Sequence, residues 1–162
     1  AVSVIFIYPA AKMAYMNQLL LDPVFLPTAA AYVSSLLAKI LVYSWQNKAL
    51  TFKTLWRDGG MPSSHTALVV GLTTSVALTQ GISPLFWVTL AFAFIVMHDA
   101  IGVRYQSGRQ AHAINQIMQA MRLGKQVKTT HLREILGHTP TQVLVGALLS
   151  FAVATFVHLS VF

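Results

Sequence analysis

The chain has 162 residues, of which 56% are hydrophobic and 9% charged, with a formal net charge of +7 and a mean hydropathy of +0.64. Four acidic side chains cannot cover a soluble domain of this size, so the composition excludes an ordinary water-soluble protein and indicates a single integral-membrane domain over residues 1–162. Without cysteine neither a disulfide nor a thiolate metal site is possible, and in a membrane chain the basic excess reads as topology and contact with anionic headgroups rather than nucleic-acid binding.

Residues 1–23 hold no complete span by this reading. The apolar stretch from Ala1 to Tyr8 meets Pro9, Lys12, Asn17 and Gln18 before the roughly 20 helical residues needed to cross a hydrocarbon core accumulate. Four later segments are long and apolar enough: approximately Val24 to Trp45, Ser63 to Gln80, Pro84 to Val103, and Thr141 to Phe162. The second and third are joined by Gly81-Ile82-Ser83-Pro84, a turn signal short enough to force a tight antiparallel pair. The fold class predicted is an all-α polytopic membrane bundle of about four transmembrane helices.

With an even number of spans, both longer connections share one side of the membrane. That side carries Lys48, Lys53, Arg57, Arg104, Arg109, Arg122, Lys125, Lys128 and Arg133, against Lys12 on the other. The positive-inside rule makes the basic side cytoplasmic, or its equivalent in an organelle. From Arg104 to Arg122 the pattern changes: Ala111, Ile114, Ile117, Met118 and Met121 recur at helical spacing with Arg109, Gln110, Asn115 and Gln116 between them. An amphipathic interfacial helix is expected there, followed by a mobile loop from Leu123 to Thr130.

Two charges fall inside spans. Lys39 lies in the last turns of the first and Asp99 near the end of the third, where an unpaired charge is costly and usually lines a polar cavity. Lys39 either snorkels to the headgroups or belongs to a site, and Asp99 either pairs with Arg104 or belongs to the same site. Lys39, Arg57, Ser63, Ser64, His65, Arg104 and His138 all fall at one membrane face, and several cations with two histidines and a helix start suit a phosphate. Gly59 and Gly60 permit unusual backbone geometry, Pro62 suits the residue just ahead of a helix, and Ser63 or Ser64 can cap it. A cap, however, does not require His65.

Met61-Pro62-Ser63-Ser64-His65, ahead of an apolar helix, resembles the Pro-Ser-Gly-His motif of the type 2 phosphatidic acid phosphatase and vanadium haloperoxidase superfamily. Together with His98-Asp99-Ala100-Ile101-Gly102-Val103-Arg104 and Leu136-Gly137-His138-Thr139-Pro140, it looks more narrowly like that superfamily's divergent branch of small bacterial and plastid membrane proteins, over roughly Ala38 to Ser150. The resemblance implies a metal-independent, cofactor-free hydrolase in which one histidine attacks phosphorus and a second protonates the leaving oxygen. The attacking histidine belongs to a His-x-x-x-Asp motif, which His138 fits with Gln142 in the carboxylate's place.

On that resemblance His138 is the nucleophile and His65 the general acid. Asp99, in preference to Glu134, is expected to orient and charge-balance the His138 ring. Lys39, Arg57, Arg104 and, more weakly, Arg133 are assigned to phosphate binding, and Ser63 and Ser64 to stabilising the oxyanion. His98, His112, His131 and His158 are read as structural. The implied substrate is a phospholipid or polyprenyl phosphate, handled at the cytoplasmic face of a bacterial inner membrane or plastid-type membrane. Gln142 leaves open an alternative, a protein that binds or transports an anionic headgroup without cleaving it. Four spans also fall short of the six-helix core usual in the superfamily, so a homodimer is a further expectation.

Overall fold

The structure is a computed structural model that describes residues 17–18, 20–48, 60–120 and 137–162. Within them the chain forms five helices: α1 (Phe25–Asn47), α2 (Ser64–Gln80), α3 (Pro84–Ile101), α4 (Val103–Ala120) and α5 (Pro140–Val161). The expected loop from Leu123 to Thr130 and the apolar stretch from Ala1 to Tyr8 lie outside the described residues.

Each membrane helix starts where the local chemistry directs it. Asp22 Oδ1 accepts from the backbone N–H groups of Val24 (2.9 Å) and Phe25 (2.8 Å) at the head of α1. Ser83 caps α3 by accepting from Phe86 N–H at 3.3 Å, with Pro84 in the first turn. At α5, Thr139 and Gln142 form a reciprocal capping box around Pro140. Gly81, with φ of +66°, takes the left-handed backbone that turns α2 into α3.

The central helix is α2, which packs against α1, α3 and α5. Its buried face is made of small and hydroxylated residues, including Thr66, Ala67, Gly71, Thr73, Thr74 and Ser75, the composition that lets membrane helices approach closely. A Cβ placed on Gly71 would lie 3.0 Å from both Ala31 Cβ and Ser150 Oγ, so α1, α2 and α5 meet there without intervening side chains. The hydroxyls are satisfied locally or across the interface: Thr28 Oγ1 donates to Ser75 Oγ at 3.2 Å, Thr73 Oγ1 to Val69 O, and Ser150 Oγ to Ala67 O.

Three stretches among the described residues are long and apolar enough to cross a membrane: Phe25–Asn47, Pro84–Met118 and Pro140–Val161. The second expected span differs, since α2 has only 17 residues, about 26 Å of helix. It reaches nearly across the core while enclosed by its neighbours, so its polarity is buried rather than lipid-exposed. The third expected span also ends earlier than Val103. Gly102 closes α3 at Ile101, its N–H bonding His98 O at 2.8 Å, and α4 begins at the next residue.

On α4 both the apolar stripe and most of the polar face are exposed, Arg109, Gln110 and Gln116 among the polar residues, while Asn115 turns inward. Asn115 is 3% exposed, whereas Ile114 and Ile117 are 44% and 57% exposed. An apolar stripe that would be buried in a soluble protein turns outward when its solvent is lipid. The fold is an all-α membrane bundle.

Candidate functional site

Two helix starts, one helix end and the inner half of α1 meet at one end of the bundle. The backbone holds them together. Ser63 N–H donates to Gln142 O at 3.2 Å, joining the start of α2 to the first turn of α5, and His138 N–H donates to Ala100 O at 3.1 Å, joining the segment before α5 to the end of α3. Gly146 permits the first of these contacts: a Cβ there would stand 2.7 Å from Ser63 O, so only glycine lets the two helix starts close.

His138, 3% exposed, precedes the Thr139 cap of α5. Gln142 Oε1 lies 3.2 Å from His138 Nδ1 and accepts from Thr139 N–H, also at 3.2 Å. A backbone N–H can only donate, so it identifies the Gln142 atom facing it as the carbonyl oxygen, and that oxygen can only accept from His138. The proton of the neutral ring is therefore on Nδ1, which leaves the lone pair on Nε2. One side-chain oxygen both caps a helix and sets a tautomer.

Gln142 thus makes a ring contact of the kind expected of Asp99. Asp99 itself is half-buried on the last turn of α3, next to the Ala100 carbonyl that holds the His138 backbone. Burial pushes His138 below its ordinary pKa of 6.5, and the Lys39 ammonium and His65 push the same way, while the Gln142 hydrogen bond and a backbone hydrogen bond with Gly60 oppose them. The net effect favours the neutral ring.

His65, on the first turn of α2, is exposed. Its ring centroid is 6.3 Å from that of His138, with the planes at 69°. Lys39 is 4% exposed and reaches the same place from α1, for its Cε would lie 3.5 Å from a Cβ on Gly60. Gly60 has φ of +86°, a backbone conformation that side chains disfavour. Lys39 lies eight residues before the end of α1, about 12 Å along the helix, and is directed into the site.

The two serines differ. Ser63 is fully buried, and its Oγ accepts from the Thr66 N–H at 3.4 Å and the Thr66 hydroxyl at 3.0 Å, so its side chain is engaged as the α2 cap. Ser64 is half-buried on the first turn of the same helix. Arg104 falls on the first turn of α4, while Arg57, Arg133 and Glu134 lie outside the described residues. Gln142, already in the motif's carboxylate place, also takes the N3 position of a Thr-Pro-x-Gln capping box, and the role of Gly146 could have been suspected from a glycine inside an apolar helix. Among the described residues no group of three or more His, Cys, Asp or Glu could hold a metal ion.

The chain matches the Divergent PAP2 family over residues 20–153. It is 35% identical over 147 residues to the Uncharacterized membrane protein YuiD of Bacillus subtilis (strain 168), covering 81% of this chain and 93% of that protein. No solved structure matches the chain. The paired histidines and the buried lysine therefore lie within a sequence that belongs to the divergent PAP2 family of membrane proteins.

Proposed function

We propose that the protein is a metal-independent phosphatase that hydrolyses a phosphomonoester or diphosphate headgroup of a membrane lipid through a phosphohistidine, its site facing the cytoplasm. The observation that carries this reading is the pairing of His138 with His65, at 6.3 Å between ring centroids, beside the buried Lys39. Both rings can address one phosphoryl group. His138 Nε2 attacks phosphorus, the bond to the leaving oxygen breaks, and that oxygen takes a proton from His65. Water then attacks the phosphohistidine, gives its proton to His65, and releases inorganic phosphate as the P–N bond breaks.

Lys39 balances the phosphoryl charge, with the Ser64 region of the α2 start, Arg104, Arg57 and Arg133 as further phosphate contacts. The Nδ1 proton stays on the ring throughout, shared with Gln142. Because that partner is neutral, the cation formed during attack is stabilised less than by a carboxylate, and the same observation favours a second reading in which the headgroup is bound but not cleaved.

Purified protein in detergent with EDTA is expected to release phosphate from phosphatidate or a polyprenyl diphosphate. His138→Ala and His65→Ala should each lower turnover by at least about 100-fold. Undiminished release by His138→Ala would remove the phosphohistidine. Wild-type binding of the lipid phosphate without turnover, and without inhibition by vanadate of any measurable rate, would establish the second reading.

A further inference from the structure

Away from the histidines the bundle contains a cavity of about 350 Å³ between α2, α3 and α5. It is lined by apolar side chains and three threonines, with no charged group. Its lining begins with Val70, five residues beyond His65 on α2, and Met97, two residues before Asp99 on α3. From there it follows α3 back to Phe86, eleven residues or about 16 Å along the helix. Leu78 and Phe151, which also line it, are 39% and 57% exposed, so the groove opens sideways to the bilayer.

We infer that this groove seats one hydrocarbon chain of the same lipid molecule whose phosphate lies between His65 and His138. The inference rests on the phosphatase reading for the headgroup and adds the tail. Three observations converge on a chain rather than another occupant. The lining offers no charged partner, and its polar groups are confined to three threonines. The groove starts about one and a half helical turns beneath His65, at about 7.5 Å of axial rise, so an occupant anchored at the site would continue directly into it. Its volume lies at the low end for small-molecule pockets, which suits one chain and leaves the second chain of a diacyl lipid in the surrounding bilayer. A fluid acyl chain fills any such groove transiently; seating by the substrate makes occupancy depend on the headgroup.

The test uses phosphatidate carrying a photoactivatable diazirine at the middle of one 16-carbon acyl chain, in phosphatidylcholine vesicles containing the full-length protein with His138→Ala, so that labelling is read without turnover. Labels are expected on Leu90 and Ala93, at least fivefold above those on the lipid-facing Phe94 and Ile95. The excess should vanish when the same labelled chain is carried by phosphatidylcholine, and Ala77→Trp, which fills the groove from α2, should reduce it at least fivefold. Labelling spread evenly over Phe94, Ile95 and the groove overturns the inference, as does an excess that the choline lipid shares equally. In the wild-type background, Ala77→Trp and separately Ala93→Phe should lower kcat/KM about tenfold for a 16-carbon phosphatidate while changing it less than twofold for a dioctanoyl phosphatidate. The short-chain rate controls for folding. A chain that labels the groove in a headgroup-dependent way without any phosphate release would sink the phosphatase reading and leave the tail seat standing.

Discussion

Gln142→Glu puts a carboxylate where an amide oxygen now meets His138 Nδ1 at 3.2 Å, with almost no change of shape. The Thr139 N–H that fixes the amide donates equally well to a carboxylate, and the third position of a helix favours a negative charge, so α5 keeps its cap. A neutral hydrogen bond contributes about 1 kcal/mol and one to a charged group about 1.5 to 3 kcal/mol. The difference of about 1 to 1.5 kcal/mol acts only when the ring is a cation, which is about one pKa unit upward for His138. The ring is now held below 6.5, chiefly by burial, and the substitution opposes that depression. Imidazole resonances followed by two-dimensional ¹H–¹⁵N spectroscopy in micelles, from pH 4 to 9, would measure the shift. The acidic limb of kcat/KM should move to higher pH by the same amount, and the plateau should rise because the attacking ring ends as a cation. A His138 midpoint that stays in place or falls would refute the assignment of Gln142 Oε1 to Nδ1.

Acid sensitivity follows from the same shift. The unfolded chain takes up the His138 proton near pH 6.5 and the folded chain at lower pH, so between these values the unfolded state binds more protons and stability declines as pH falls. His138→Gln should flatten that part of the thermal-melting profile, and an unchanged slope would count against burial as the cause. Gly146→Ala should cost about 1 to 3 kcal/mol by overpacking, because its Cβ would stand 2.7 Å from the Ser63 carbonyl; a shift of the two helix starts should also lower turnover by one to two orders of magnitude. Gly71→Ala, whose Cβ would stand 3.0 Å from Ala31 Cβ and Ser150 Oγ and 3.7 Å from Thr28 Cα, should lower the melting temperature while largely sparing turnover, and equal turnover losses in the two variants would argue against Gly146 as the spacer of the site. Lys39→Met should raise the His138 pKa by removing a repelling charge and weaken vanadate binding about 10- to 100-fold; unchanged binding would return Lys39 to a packing role.

Helix starts were legible wherever a short polar signal precedes an apolar run, as at Ser83-Pro84 and Thr139-Pro140. Such signals act through the nearest few peptide groups, and the chain needs no tertiary information to use them. The ranking of the spans was not legible. Hydropathy rises equally for a face turned to lipid and one turned to protein, so nothing in the apolar count marks α2 as the enclosed helix or Asn115 as the residue of α4 that turns inward. At the site, His65 and His138 were visible as residue types in recognisable motifs. Their approach was not, because it depends on Gly146 and on two backbone hydrogen bonds between segments far apart in sequence. The partner of His138 was half legible: Gln142 stood in the motif's carboxylate place, but the missing charge sent the search to another helix, although the amide four residues on reaches back within its own turn.

The bond from Ser63 N–H to Gln142 O has an electrostatic corollary. It brings the amino-terminal ends of α2 and α5 side by side, and each such end carries roughly half a positive charge from its aligned peptide dipoles. Those dipoles have no proton to lose, so the field they cast does not fade as the histidines become neutral. The same two ends repel one another. A phosphate lodged between them would act as a keystone, holding the arch by cancelling the force that pushes its sides apart, so the protein should be most tightly closed when it is loaded and most easily loosened once phosphate has left.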